Sequence, residues 1–135
     1  MKDLLINKVG KYAGKERLFE MEPLAGRLKA LSGLDYDIFL ALWNAETPIS
    51  IENNVIHMSG CKQNACAESA YDFFVDLVND NINIYHFRSN TLRIYQEKGW
   101  IDLPPGYAKE IVAKKSSAGI GSTTDNPSAY SLTLR

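Results

Sequence analysis

Apolar residues recur at helical spacing in the first third of the chain. Leu24, Leu28 and Leu31 follow one another at intervals of four and three residues, which puts them on one face of a helix. Pro23 suits the first turn of this helix, because its missing N–H needs no partner there. Gly33 is well placed to end the helix. The pattern therefore predicts a helix between Pro23 and Gly33.

A second helix is predicted directly after Gly33. Asp35 can cap its N-terminus through the side chain, and Asp37 then lies in its first turn. The apolar side chains that follow fall on one face of this helix, and they are Tyr36, Phe39, Leu40 and Trp43.

The middle of the chain alternates between apolar and polar residues, which is typical of β-strands. Strands are predicted over residues 55–60, 71–78, 82–87 and 91–96, with a shorter extended run at 48–51. The alternation in the first of these predicts a strand with one buried face. Turns rich in Asn and Asp separate the strands, and because these turns are short we expect an antiparallel meander of four to five strands.

A third helix is predicted to begin near Pro104 or Pro105 and to end about Lys115. From Ser116 onward the chain is rich in Ser, Thr, Gly and Asn and is poor in apolar residues, which predicts a polar, mobile tail over residues 116–135. The expected fold over residues 1–115 is thus a single α+β domain, with N-terminal helices, an antiparallel meander sheet and a closing C-terminal helix.

Composition excludes several classes of protein. The chain has 135 residues, of which 45% are hydrophobic, and this is enough for one domain with a real core. A net charge of -1 argues against nucleic-acid binding, which usually needs a basic face. The sequence has no apolar run long enough to span a membrane. As given it begins without a signal peptide, which leaves two alternatives, a cytoplasmic protein and a mature secreted form.

Two cysteines five residues apart form the most informative stretch, Cys61-Lys62-Gln63-Asn64-Ala65-Cys66. A zinc site lacks two further ligands nearby, and a redox pair lacks the two-residue spacing and the helix N-terminus that lower a thiol pKa. The spacing favours a structural disulfide, with two reduced, buried thiols as the remaining alternative.

A disulfide across so small a ring would add only about 2 kcal/mol of stability. Its use would then be to hold Lys62, Gln63, Asn64 and Ala65 in one conformation, because preorganisation lowers the entropy cost of binding. A disulfide also indicates an oxidising compartment, which favours the secreted form.

Other residues that could carry chemistry have simpler interpretations. His57 and His86 are predicted to be packed or surface residues of strands. Asp72 and Asp76 are predicted to lie on a solvated strand face. The lysines of the last helix are predicted to lie on its solvent face, and they are Lys109, Lys114 and Lys115. Because the sequence has no nucleophile motif, phosphate loop or metal-ligand set, we expect a non-enzymatic protein without metal or cofactor. An enzyme would need a reactive, exposed cysteine or a histidine in a cleft beside a carboxylate.

The loop, its Ser59-Gly60 lead-in and the alternating strand after it resemble the Ivy-type inhibitors of vertebrate lysozyme. The resemblance covers about residues 15–115, and the cysteine loop is its sharpest motif. It implies a helix-and-sheet scaffold in the periplasm, from which a disulfide-closed loop enters the active-site cleft of lysozyme. In the family this loop is typically Cys-Lys-Pro-His-Asp-Cys, and its His meets the catalytic carboxylates.

Carried over position by position, Cys61, Lys62 and Cys66 match the family loop, whereas Gln63, Asn64 and Ala65 replace its Pro, His and Asp. The resemblance implies a non-catalytic binding protein whose partner is lysozyme or another peptidoglycan-cleaving enzyme. The three replacements keep a second hypothesis open, an envelope interaction or immunity module that does not bind lysozyme. An open edge strand in the meander would also allow a homodimer, and the alternative is that the tail covers the same edge.

Overall fold

The structure, a computed structural model, describes residues 1–120. Four α-helices lie in this part of the chain: α1 (Lys2–Ile6), α2 (Leu24–Ser32), α3 (Asp35–Leu42) and α4 (Pro105–Ser117). A short 3₁₀ helix, Leu18–Glu20, precedes α2. The three helices expected from the sequence are confirmed. The predicted tail continues to residue 135, and residues 121–135 lie outside the described part.

Six strands form one antiparallel sheet: β1 (Ala45–Glu46), β2 (Ser50–Glu52), β3 (Val55–Cys61), β4 (Ser69–Asp76), β5 (Asn81–Arg88) and β6 (Thr91–Gln96). β3 to β6 pair in chain order, so the predicted meander is confirmed. The short strands β1 and β2 both pair with β3 and cover its outer edge. The fold class is therefore α+β, as expected.

Helices cover both faces of the sheet, which divides the core into two clusters. On one face the N-terminal helices pack through Leu28 and Phe39 against Phe73. On the other face α4 packs through Tyr107 and Ile111 against Phe74. The prediction that residues 55–60 have one buried face is wrong, because α4 returns to cover the face that alternation had marked as polar.

Two details at the helix ends differ from the sequence prediction. Leu34, rather than Asp35, occupies the N-cap position of α3, and no side chain caps this helix. Asp35 is instead the first residue of α3, where its carboxylate bonds to Arg93 and Tyr95 of β6. The prediction of an Asp35 cap is therefore wrong, since tertiary partners compete for the same oxygen atoms. At the other end of the chain, α4 continues to Ser117.

Gly60 brings the end of β3 close to the N-terminal helices. A Cβ atom at this position would lie 2.4 Å from the indole of Trp43, which directly follows α3. Trp43 in turn packs edge-on against Phe19 and Phe73, with ring centroids 4.8 Å and 5.4 Å away. The strand that leads into the cysteine loop is thus seated directly on the aromatic core.

Candidate functional site

The cysteine loop connects β3 to β4, two neighbouring strands near the middle of the sheet. Cys61 is the last residue of β3 and pairs with Ala70 of β4 in the ladder. A disulfide joins Cys61 to Cys66, with their Cα atoms 5.0 Å apart. The predicted disulfide is therefore confirmed, and neither cysteine is a free thiol. The loop that it closes lies at the end of a paired hairpin.

Backbone hydrogen bonds hold the loop in one conformation. The Lys62 N–H donates to the Ser69 carbonyl (3.2 Å), and the Ala65 N–H donates to the Lys62 carbonyl (2.9 Å). The Ser69 N–H then donates back to the Ala65 carbonyl (3.0 Å). On the α3 side, the Gln63 N–H donates to the Asn44 side-chain oxygen (3.4 Å). Together with the disulfide, these bonds fix the backbone from Cys61 to Ser69.

The tip of the loop exposes its polar side chains. Lys62, Gln63 and Asn64 are all exposed, whereas Ala65 is half-buried. Asn64 has a φ of 63°, a left-handed conformation that Asn adopts more readily than most residues. No residue within 1–120 forms an ion pair with Lys62, so its ammonium group is available to a partner.

A groove of about 380 Å³ lies beside the loop, between α3 and strands β4 to β6. Tyr71 and His86 stack on its inner side with ring centroids 4.0 Å apart, and Ser69 shares a hydrogen bond with His86 Nε2 (3.1 Å). Burial, together with the nearby Arg88 charge, lowers the pKa of His86 to about 4. His86 is therefore a neutral, packed strand residue, as expected from the sequence.

A second polar cluster lies on the opposite face of the sheet, beneath α4. Asp72 is fully buried, and its carboxylate accepts hydrogen bonds from Lys114 Nζ at 2.7 and 2.6 Å. His57 Nε2 lies 2.6 Å from Asp72 Oδ1. The predictions that Asp72 faces solvent and that Lys114 lies on a solvent face are both wrong. Lys115 is also buried, contrary to the same prediction.

Charges and hydrogen bonds decide the ionisation state of Asp72. Burial alone would raise the pKa of this carboxyl group. The hydrogen bond from His57 and the positive charge of Lys114 outweigh burial and hold its pKa below the usual value. Asp72 is therefore an ionised carboxylate at neutral pH. This cluster was missed because its members lie far apart in sequence, on β3, β4 and α4.

The cluster meets the second of the two alternatives stated above for an enzyme, a histidine in a cleft beside a carboxylate. His57 lines a cleft of about 460 Å³ together with Ser50, Ser59, Glu110 and other residues. A nucleophile would need its hydroxyl group within reach of His57, but Ser50 Oγ is bonded to the Tyr107 hydroxyl (2.8 Å) and Ser59 Oγ to Lys114 (3.0 Å). Among residues 1–120, the arrangement therefore orients an imidazole without a hydrogen bond from it to a serine or threonine hydroxyl.

Comparison with known proteins identifies a family. The family model described as inhibitor of vertebrate lysozyme (Ivy) matches residues 23–118, which is most of the chain. The matched range begins just before α2 and ends just after α4, so it contains the cysteine loop and both faces of the sheet. No curated protein and no solved structure matches the chain. Within residues 1–120, every helix is too short or too polar to cross a membrane.

Proposed function

The chain belongs to the Ivy family of inhibitors of vertebrate lysozyme, and from this membership we propose that it is a non-catalytic protein of the periplasm or of a secreted fraction. Its rigid loop, Cys61 to Cys66, enters the cleft of lysozyme or of another peptidoglycan-cleaving hydrolase. The observation that carries the proposal is the exposed loop tip held by a disulfide and by backbone bonds on both sides.

The chemistry of the loop suits such a cleft. Glycoside hydrolases of this kind hold two carboxyl groups, one protonated and one ionised, on either side of the scissile bond. The exposed Asn64 amide can donate hydrogen bonds to carboxylate oxygens, and Lys62 can supply a positive charge beside it. Because the loop is already ordered, little conformational entropy is lost when it binds.

The residue at the loop tip sets the expected strength of inhibition. Asn64 stands where the family has His, so a neutral hydrogen bond replaces one that can be charge-assisted. Such a replacement costs on the order of 1–2 kcal/mol, which is about tenfold or more in affinity. We therefore expect the native chain to bind animal lysozyme more weakly than its Asn64→His variant.

Titration calorimetry of the oxidised protein against an animal c-type lysozyme tests the proposal. The Asn64→His variant is measured alongside, and Asn54→His is the matched control. Asn54 has a φ of 62°, nearly that of Asn64, but lies in the β2–β3 turn. Binding by the native chain at micromolar concentration or better, strengthened by Asn64→His and unchanged by Asn54→His, supports the proposal.

Other results separate the second hypothesis from the first. Gln63, Asn64 and Ala65 abandon the family sequence at the tip of the loop, which favours a target other than vertebrate lysozyme. If only Asn64→His binds, the scaffold can inhibit lysozyme but the native loop has another target. If neither binds, the protein is an envelope interaction or immunity module on the same scaffold, and the lysozyme proposal is rejected.

Formation of a homodimer is a prediction separate from lysozyme binding. Within the described residues β6 pairs only with β5, so its outer edge could accept a strand from a second copy. Light scattering at two protein concentrations tests this prediction directly.

A further inference from the structure

The His57 ring is held on three sides. It stacks on Phe74 with centroids 4.7 Å apart and an interplanar angle of 15°, and the Tyr107 ring lies 4.8 Å away. Its Nε2 atom is 2.6 Å from Asp72 Oδ1. Packing and hydrogen bonding therefore fix the direction in which the second ring nitrogen, Nδ1, points.

Hydrogen bonding at Asp72 also decides which nitrogen carries the proton. Both oxygen atoms of the Asp72 carboxylate accept from Lys114 Nζ, at 2.7 and 2.6 Å, so the 2.6 Å contact with Oδ1 places the proton on His57 Nε2. In the neutral imidazole, Nδ1 then carries a lone pair. Glu110 Oε2 lies 3.8 Å from Nδ1, beyond hydrogen-bond distance. In this neutral form, the Nδ1 lone pair and the Glu110 carboxylate face each other across a gap of 3.8 Å.

We propose that His57 Nδ1 and the Glu110 carboxylate bind a divalent transition-metal ion of the zinc class. A histidine that binds a metal usually donates its other N–H to a carboxylate, which fixes the ring and raises its basicity. Asp72 occupies that position here. Imidazole combined with carboxylate suits zinc, copper or nickel rather than magnesium or calcium.

The distance between the two donor atoms fits such an ion after a small adjustment. Zinc bonds of about 2.0–2.1 Å in tetrahedral geometry place two ligand atoms about 3.4 Å apart. The present separation is 3.8 Å, so one ligand must move by a few tenths of an ångström. The Glu110 side chain is 54% exposed and can make this movement, whereas His57 stays fixed.

The surroundings leave a negative charge and open coordination positions for the ion. Lys114 makes two bonds to Asp72, so these two charges balance and the Glu110 charge remains. The cleft of about 460 Å³ is lined by the hydroxyl-bearing residues Thr47, Ser50 and Ser59 and by Lys114. The protein supplies two ligands, so two water molecules bound in this cleft would complete a four-coordinate shell.

The test is a zinc titration of the whole protein, followed by calorimetry and by ¹⁵N NMR of the imidazole rings. We expect one ion per chain, with a shift of the His57 Nδ1 resonance and no shift of the buried His86. Glu110→Gln should weaken binding at least tenfold. Glu68→Gln, which alters an exposed carboxylate beside the cysteine loop, should leave binding unchanged.

Three results would overturn the proposal. The first is that zinc binding does not saturate, and the second is that Glu110→Gln binds zinc as tightly as the native chain. The third is that the His57 resonances do not respond to zinc and show a proton on both ring nitrogens. In the last case a proton rather than a metal ion fills the gap. Glu110 is exposed, so its variant should fold even if a His57→Gln variant does not. The proposal does not depend on lysozyme binding.

Discussion

Replacing Lys114 with methionine removes the cation that balances the buried Asp72 carboxylate. Methionine keeps most of the length of the lysine side chain and its apolar packing, so the main change is the loss of charge. In the variant, Asp72 keeps its contact with His57 but loses two hydrogen bonds of 2.6 and 2.7 Å. After the substitution, the negative charge of the fully buried Asp72 carboxylate is balanced only in part, by its contact with His57.

The expected loss of stability is large for a single substitution. Removing one partner of a buried ion pair costs about 3–5 kcal/mol. The Lys114 side chain is 33% exposed and His57 remains in place, so we expect the lower end of this range, about 3 kcal/mol. For a domain of this size, that corresponds to a fall in Tm of about 10 °C.

Urea unfolding at two pH values measures the effect, with Lys109→Met as the control on the exposed side of α4. The pKa of Asp72 in the folded protein is lowered, so its stabilisation is present above the unfolded pKa of about 3.9 and is lost as pH falls through the folded value. The penalty of Lys114→Met should therefore be full at pH 7 and should shrink as the pH falls below the unfolded pKa and through the folded one. Equal stability of the two variants at pH 7, or a penalty independent of pH, would refute the reasoning.

Two further predictions concern other parts of the fold. Gly60→Ala should lower the free energy of unfolding by about 1–3 kcal/mol in chemical denaturation, because the new methyl group would lie 2.4 Å from the Trp43 indole. The control Gly26→Ala, at an exposed position inside α2, should leave the free energy of unfolding unchanged or raise it. His86, with its pKa lowered to about 4 by burial, should titrate near pH 4 by NMR. Its contribution to stability should be lost as pH falls from about 6.5 through 4, and a midpoint above 6 would contradict this account.

The main elements of the fold could be predicted because their signals are local. The spacing of Leu24, Leu28 and Leu31 places them on one side of α2, and two of the three are fully buried. Turn residues such as Asn79 and Asp80 separate the meander strands. The cysteine loop was recognisable because its two cysteines and Lys62 match a family motif.

The His57 cluster could not be predicted, because alternation along one strand says nothing about what later covers it. Asp72 contacts a residue 15 positions earlier and another 42 positions later in the chain. An aspartate in an alternating strand is usually solvated. Here α4 supplies a cation and excludes water. The two-residue strand β1 was missed for a related reason, since its strand conformation comes from pairing with β3 rather than from its own sequence.

The position of the cysteine loop has a kinetic consequence. Its two ends continue β3 and β4, and β4 is paired on both sides and covered on both faces. Strands in such a position exchange their amide hydrogens only when the whole domain unfolds. With its disulfide and backbone bonds, the loop therefore keeps one backbone conformation during a single encounter, and association needs no ordering step. Differences in affinity among loop variants should appear in the dissociation rate, with similar association rates throughout.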